Sequence, residues 1–171
     1  MRRNLVDCFY LLDIFDVDVP VDYNHDEQLK EFFRSSAGKA ARFKQDQDKL
    51  IDKNFSNVTH HLVPGKSYLI KMFIIREDVT SEECLILLKS QKAVLVGVQG
   101  LVFLWKNYSN KLPDDKNTVS LDTEQALWRD KYNRCRVPYL SKEVDGGWML
   151  YLGKFESGLS RIDCLVCFCE K

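Results

Sequence analysis

The residues with the greatest chemical potential stand together: Cys164-Leu165-Val166-Cys167-Phe168-Cys169 holds half of the six cysteines in 171 residues. Thiolates ligate soft metals and attack electrophiles. A structural zinc, however, needs four converging ligands, normally two Cys-x-x-Cys pairs or one pair with histidines. In an extended strand, side chains alternate between faces. Alternation puts Cys167 and Cys169 with Leu165, and Cys164 with Val166 and Phe168, so the Cys-x-x-Cys pair is split across the sheet. Cys8, Cys84 and Cys135 are isolated in sequence. The segment therefore reads as a buried strand whose cysteines serve as small apolar residues. No metal and no cofactor is expected.

Other reactive types are scattered. His60-His61 point apart in an extended segment, with no acidic or cysteine ligand at metal spacing nearby. His25, in Asn24-His25-Asp26, marks a helix N-terminus, and surface positions are expected for the histidines. A nucleophilic pair of Cys135 or Cys8 with His60 or His61 has no local support, since such partners meet in space and not in sequence. Asp16 and Asp18 share one face of an expected strand without the glycine-bearing loop of a hard-cation site. A solvated edge that discourages strand pairing explains them. The phosphate-binding, dinucleotide-binding and His-Glu-x-x-His motifs are absent from the sequence, and Gly97-x-x-Gly100 is an isolated fragment.

The strongest binding character lies in the last third, where Trp128, Tyr132, Tyr139, Trp148, Tyr151 and Phe155 stand among Arg129, Lys131, Arg134, Arg136 and Lys142. Aromatic residues with arginines are what recognition surfaces use. Trp128, Trp148 and Phe155 have apolar contexts and are expected in the core. Arg129, Tyr132, Arg134 and Tyr139 form the candidate ligand-binding set, and no catalytic residue is assigned.

These residues need elements to position them. From Ile14 to Val21 apolar and acidic residues alternate, the mark of a half-exposed strand. Residues 25–53 carry Leu29, Phe32, Phe33, Phe43 and Leu50 at roughly helical spacing, interrupted by Gly38, followed by a loop over 54–66. Tyr68–Ile75 is rich in aromatic and branched residues and should be a strand. Thr80-Ser81-Glu82-Glu83 is a capping box opening a helix that ends near Gln91, with Cys84, Leu85, Leu87 and Leu88 inward. Val94–Val98 suits a strand, while Val98–Tyr108 fits strand or buried helix alike. Short strands follow at Thr118–Leu121, Arg136–Leu140, Trp148–Leu152 and Asp163–Cys169, with Asp145-Gly146-Gly147 as a hairpin turn.

Bulk properties bound the function. At 45% hydrophobic and 29% charged, the chain can bury one good core. Lys plus Arg and Asp plus Glu both total 25, giving a net charge of zero, whereas nucleic-acid binders carry a basic surplus. Nucleic acid is therefore disfavoured as a partner. The longest apolar run, Ala93–Trp105, is broken by Gly97, Gln99 and Gly100 and falls short of the roughly 20 residues of a membrane span. Acids at Asp7, Asp13, Asp16 and Asp18 break any signal-peptide core, so a cytoplasmic location with reduced thiols is expected.

Val21-Asp22-Tyr23, Thr80-Ser81-Glu82-Glu83, Leu127-Trp128-Arg129-Asp130, Arg136-Val137-Pro138-Tyr139-Leu140, Leu150-Tyr151-Leu152 and Phe155-Glu156 occur in an order and spacing that resembles a large family of short uncharacterised proteins abundant in candidate-phyla bacteria. The resemblance begins at about Val17 and carries a grouping without a mechanism. The second half of that family is similar, more remotely, to C-type-lectin-like domains, including those of formylglycine-generating-type proteins and of retroelement-diversified binding proteins. That likeness implies Tyr68–Ile75 as first strand, Thr80–Gln91 and Val98–Tyr108 as two helices, Asp163–Cys169 as closing strand, and loops 131–134 and 141–147 as the ligand-facing edge. Two features depart from the pattern: Ala93–Gly100 lacks the Leu-Pro-Thr bend, and cysteines replace the usual arginine of the closing strand.

The expected fold is a single α+β domain with a mostly antiparallel sheet and two or more helices, C-type-lectin-like on the resemblance. An N-terminal strand and helical segment (1–66) packs on an α+β unit (67–171). The expected function is a non-enzymatic binding module recognising a protein or small polar ligand through loops around 129–147. The alternative is an oxidoreductase of the formylglycine-generating kind using a cysteine pair, for which the resemblance implies a copper ion or cysteines converging in an open cleft.

Overall fold

The computed structural model describes residues 4–35 and 58–171. The chain order is β1 (Phe9–Asp18), α1 (His25–Ser35), β2 (Ser67–Ile75), α2 (Ser81–Ser90), β3 (Ala93–Val94), α3 (Gly97–Tyr108), β4 (Asn117–Val119), β5 (Arg136–Lys142), β6 (Trp148–Lys154) and β7 (Asp163–Glu170). Three helices and a mostly antiparallel seven-stranded sheet make one α+β domain among these residues. No described helix is long and apolar enough to cross a membrane. The helical reading through Gly38, Phe43 and Leu50 falls outside the described residues.

The sheet runs β1-β2-β7-β4-β5-β6. β7 is central: β2 takes one edge in antiparallel register, with Met72 opposite Val166 and Phe73 opposite Leu165. Two short strands share the other edge, β4 parallel at Asp163–Leu165 and β3 antiparallel at Phe168–Cys169. Side-chain alternation along β7 sends Cys164, Val166 and Phe168 into a core layer with α1 and α3 residues, including Phe32, Leu101 and Phe103. Leu165, Cys167 and Cys169 enter the opposite layer with Cys84, Leu87 and Leu88 of α2. A strand covered on both faces reads as a continuous apolar run, which accounts for the cysteine-rich segment.

The ambiguous stretch is a helix, and the expected strand before it shrinks to Ala93–Val94. Both glycines there have structural causes. Gly97 opens α3 at φ +46°, a left-handed conformation that costs glycine little. Gly100 lies where α3 meets β7, and a Cβ on it would fall 2.7 Å from the ring of Phe168. Helix α2 starts with the expected box: the Glu83 amide donates to Thr80 Oγ1 at 3.1 Å and the Thr80 amide to Glu83 Oε2 at 2.9 Å.

β1 begins five residues before the alternating stretch. It is the sheet edge and shifts register between Leu11 and Asp13, so Tyr10, Leu11 and Leu12 are all exposed and the simple period is lost. β1 and α1 join the same sheet and core as the rest, β1 through β2 and α1 against α3.

Replacing Gly100 by alanine should lower stability. The gain of about 1 kcal/mol in helix propensity opposes an overpacking cost of about 1–3 kcal/mol, because the fully buried Phe168 ring has no free side to move into. A urea titration of the variant measures the balance, and a midpoint above that of the wild type would contradict this packing.

Candidate functional site

Between β4 and β5 the chain folds back on itself at Trp128–Arg136. The Arg136 amide donates to the Trp128 carbonyl at 2.9 Å and the Asp130 amide to the Arg134 carbonyl at 3.0 Å. Asn133 closes the turn at φ +62°, a left-handed conformation in which asparagine is enriched.

Asp130 organises this loop. Its Oδ1 accepts from the amides of Tyr132 at 2.8 Å and Arg134 at 3.1 Å. Its Oδ2 accepts from Arg134 Nε at 2.9 Å and Arg136 Nε at 3.1 Å, and the terminal nitrogens of both guanidiniums lie within 3.0 Å of the same oxygen. The side chain is only 8% exposed. Burial pushes the carboxyl upward, but the Arg134 and Tyr132 amides and the Arg134 guanidinium outweigh it, holding Asp130 well below the usual carboxylate range.

The clamp displays Tyr132, which is 65% exposed. Lys131 Nζ lies 4.9 Å and the Arg134 guanidinium 4.8 Å from its ring centroid, within the range of cation–π attraction. Trp128, Arg136 and Leu152 complete a small cavity of about 90 Å³ beside it. Around this loop Arg129, Lys131, Arg134 and Arg136 gather near Asp130, Glu124 and Glu156, the last two close enough to act on Cys135; Arg129 pairs with Glu124 at 3.0 Å and also donates to the Asn133 carbonyl at 3.1 Å.

Of the candidate set, the structure brings Tyr132 and Arg134 together, with Arg129 bracing the same turn from its Glu124 side. Tyr139 stands apart. Arg136, Pro138 and Leu140 share one face of β5, while Tyr139 points with Val137 to the other. There it stacks on Tyr151, with ring centroids 5.3 Å apart, and joins the core layer under α2. Burial and the charge of Asp163 raise its hydroxyl pKa. Trp128 and Trp148 are partly buried against the α1–α3 layer, and Phe155 is buried in the other.

Lys131 and Arg136 stand among the basic residues read from the sequence as part of this surface, whereas Asp130, which organises the loop, lies outside that reading. The signal was present in the spacing: an aspartate two residues before one amide and four before another is a side-chain turn motif.

The cysteines are all buried and unpaired by disulfides. Burial pushes the Cys84 and Cys164 thiols up to about 12, which leaves them protonated and unreactive. Cys167 and Cys169 Sγ approach to 3.4 Å. The thiol bond from Cys167 pulls Cys169 down and raises Cys167, but the pair lies inside the sheet, 1% and 6% exposed. Among the described residues no three of His, Cys, Asp and Glu are grouped to hold a metal ion. His60 and His61 are exposed. His25, expected at the surface, is instead buried as the first residue of α1, and desolvation holds its imidazole at about 4, with Asp26 opposing. The helix start turns it inward, which the sequence pattern does not show.

No family model, no curated protein and no solved structure matches this chain.

Replacing Asp130 by asparagine should lower the melting temperature at neutral pH. The native carboxyl titrates below its unfolded value of about 3.9, so its contribution is complete above that value and is lost as pH falls through the folded pKa. The gap between wild type and variant should therefore narrow progressively below about pH 4. A gap equally wide at neutral and strongly acid pH would show that the clamp does not depend on the charge.

Proposed function

We propose that the chain is a non-enzymatic binding module that recognises a protein or small polar ligand through the loops of residues 129–147, with Tyr132 as the contact centre. The observation that carries this reading is the Asp130 clamp, which holds an exposed aromatic ring between Lys131 and Arg134. An exposed tyrosine on a mobile loop would lose conformational freedom on binding. Here the loop is fixed beforehand by bonds from two amides and two guanidiniums, so that cost is reduced. The basic surplus favours a ligand with carboxylates or other acidic groups, since complementary charge raises association rate and selectivity.

The element order supports a C-type-lectin-like arrangement: the first strand of 67–171, β2, pairs with the last, β7, and α2 and α3 lie between them in sequence. The hairpin tip at Glu143–Gly147 lies at the other end of β5 from the Asp130 loop, since Arg136 beside that loop is opposite Lys154 and Lys142 beside the tip is opposite Trp148, so the contact centre belongs to the Asp130 loop. An oxidoreductase of the formylglycine-generating kind needs a cysteine pair open to substrate. The burial of Cys167 and Cys169 favours the binder.

Two variants test the proposal. Tyr132→Ala should change stability by no more than about 0.5 kcal/mol, as exposed substitutions usually do. It should weaken a bound partner by about 2 kcal/mol, the size of an aromatic hot spot. A photo-crosslinking residue at position 132 should capture that partner, while the same residue at the exposed Ile86 on α2 should not. Equal capture from both positions, or unchanged affinity in Tyr132→Ala, would refute the assignment.

A further inference from the structure

The two edges of the sheet are built differently. β6 exposes no large apolar side chain, whereas β1 exposes Tyr10, Leu11, Leu12 and Ile14, each between 40% and 49%. An exposed apolar edge strand is a template for pairing, and proteins normally blunt it. The second half of β1 is blunted. The Asp18 amide donates to the Tyr108 hydroxyl at 3.1 Å and the Ile14 amide to Asp13 Oδ1 at 2.8 Å, while Asp16 pairs with Lys171 at 2.9 Å. The first half is not. The Arg76 amide donates to the Cys8 carbonyl at 2.8 Å, so alternation turns the backbone of Tyr10 toward β2 as well and that of Phe9 and Leu11 outward, onto the open edge.

The charges say what fits this edge. Tyr10 opposes Ile74 and Asp13 opposes Met72, so both lie on the face toward α1 and α3, where Met72 is packed. On that face the Arg76 guanidinium rests 4.8 Å from the centroid of the Tyr10 ring. Among the described residues neither Arg76 nor Asp13 has an ion-pair partner. An antiparallel second copy, with Tyr10 at the two-fold axis, sets Phe9 of each chain opposite Leu11 of the other. Each Asp13 then comes alongside the other chain's Arg76, two strand spacings or about 10 Å away between backbones, a gap the two side chains close together. Asp16 and Asp18 extend past the start of the opposing strand, and Asp7 stands in the 3₁₀ turn before it. Parallel in-register pairing would instead set each of the three strand aspartates against itself, which is destabilising.

We propose that β1 docks a second copy of this chain, antiparallel and edge to edge over Phe9–Leu12, to give a symmetric dimer with one continuous sheet. The contact is isologous, so the pairing of Asp13 with Arg76 is made twice. An unrelated strand would match the apolar stretch without answering both charges.

The test is sedimentation velocity of the full chain over a concentration series, which should show a reversible monomer–dimer equilibrium. Leu11→Lys puts a charge on the exposed edge and should leave only monomer, with an unchanged far-ultraviolet circular dichroism spectrum. Arg76→Asp and Asp13→Arg should each weaken the dimer about tenfold or more, since like charges then meet, and the double variant should recover it. Under oxidation Tyr10→Cys should form a covalent dimer, because directly opposed residues on the axis lie within disulfide range and the native thiols are buried. Ile86→Cys on α2 should not. The proposal is overturned by a chain that stays monomeric at about 1 mM, the Kd of a weak association, or by a dimer that survives Leu11→Lys. It is equally overturned by open-ended growth, the mark of β1 pairing head-to-tail with β6, or by a dimer that Tyr10→Cys does not crosslink.

Discussion

The structure depends on one strand being closed on every side. β7 is hydrogen-bonded at both edges and covered on both faces, so none of its interior side chains can reach solvent or be polar without a cost. That constraint selects small and medium apolar residues. It also explains the thiols: at 164, 167 and 169 cysteine occupies positions where a larger residue would push α2 or α3 away from the sheet. The tight approach of Gly100 to Phe168 shows how little space is left. A slip of one residue would exchange the two faces, moving Phe168 from beneath Gly100 into the layer beneath α2. The register is therefore fixed by volume as well as by hydrogen bonds.

Buried polar groups then attach the irregular segments to this layered body. Gln99, in the first turn of α3, accepts from the Leu62 amide at 3.1 Å and pairs with His61 Nδ1 at 2.8 Å. Asp122 accepts from the Thr59 amide at 3.0 Å, from the Thr59 hydroxyl and from the Thr123 amide at 2.7 Å. Residues 59–62 lack regular structure, yet every one of these bonding partners belongs to them or to the residue beside Asp122. Leaving any such partner unmatched would cost more than the bond itself contributes, so the extended segment is held in place by what its absence would leave unpaired.

Local patterns in the sequence revealed what local forces decide. Alternation correctly divided Cys164 from Cys167 and Cys169, the Thr80–Glu83 box opened α2, and the paired glycines turned the β5–β6 hairpin. Each is written within a few residues. Where distant chain decides, the pattern was silent. Val98–Tyr108 is a helix because its apolar surface meets β7 and α1, and no period within it distinguishes that from a strand. The Asp122–Thr59 bonds span 63 positions, and α1 meets α3 only in the folded chain. The candidate loop lay between these cases. Tyr132 and Arg134 were visible as an aromatic beside a cation, whereas the assignment of Tyr139 to the opposite face required knowing which side of β5 Asp130 occupies.

The two buried aspartates show how the same side chain serves opposite ends. At Asp122 the donors are amides and a hydroxyl, and burial prevails, raising the carboxyl above its ordinary value. A raised acid favours the folded state while protonated and loses that advantage as pH rises through its folded pKa, so Asp122 anchors residues 59–62 at some cost to neutral-pH stability. Asp130 meets guanidiniums as well as amides, and its carboxyl is lowered instead. Its charge is fully present at neutral pH, yet it answers only part of the positive charge gathered round it: Arg134 and Arg136 share a single oxygen, and Lys131 lies beyond on the ring of Tyr132. The clamp thus fixes the loop and still leaves it electropositive. A fully neutralised loop would be equally rigid; the incomplete pairing is what leaves positive charge beside an exposed ring, the feature on which the proposed recognition of an acidic ligand rests.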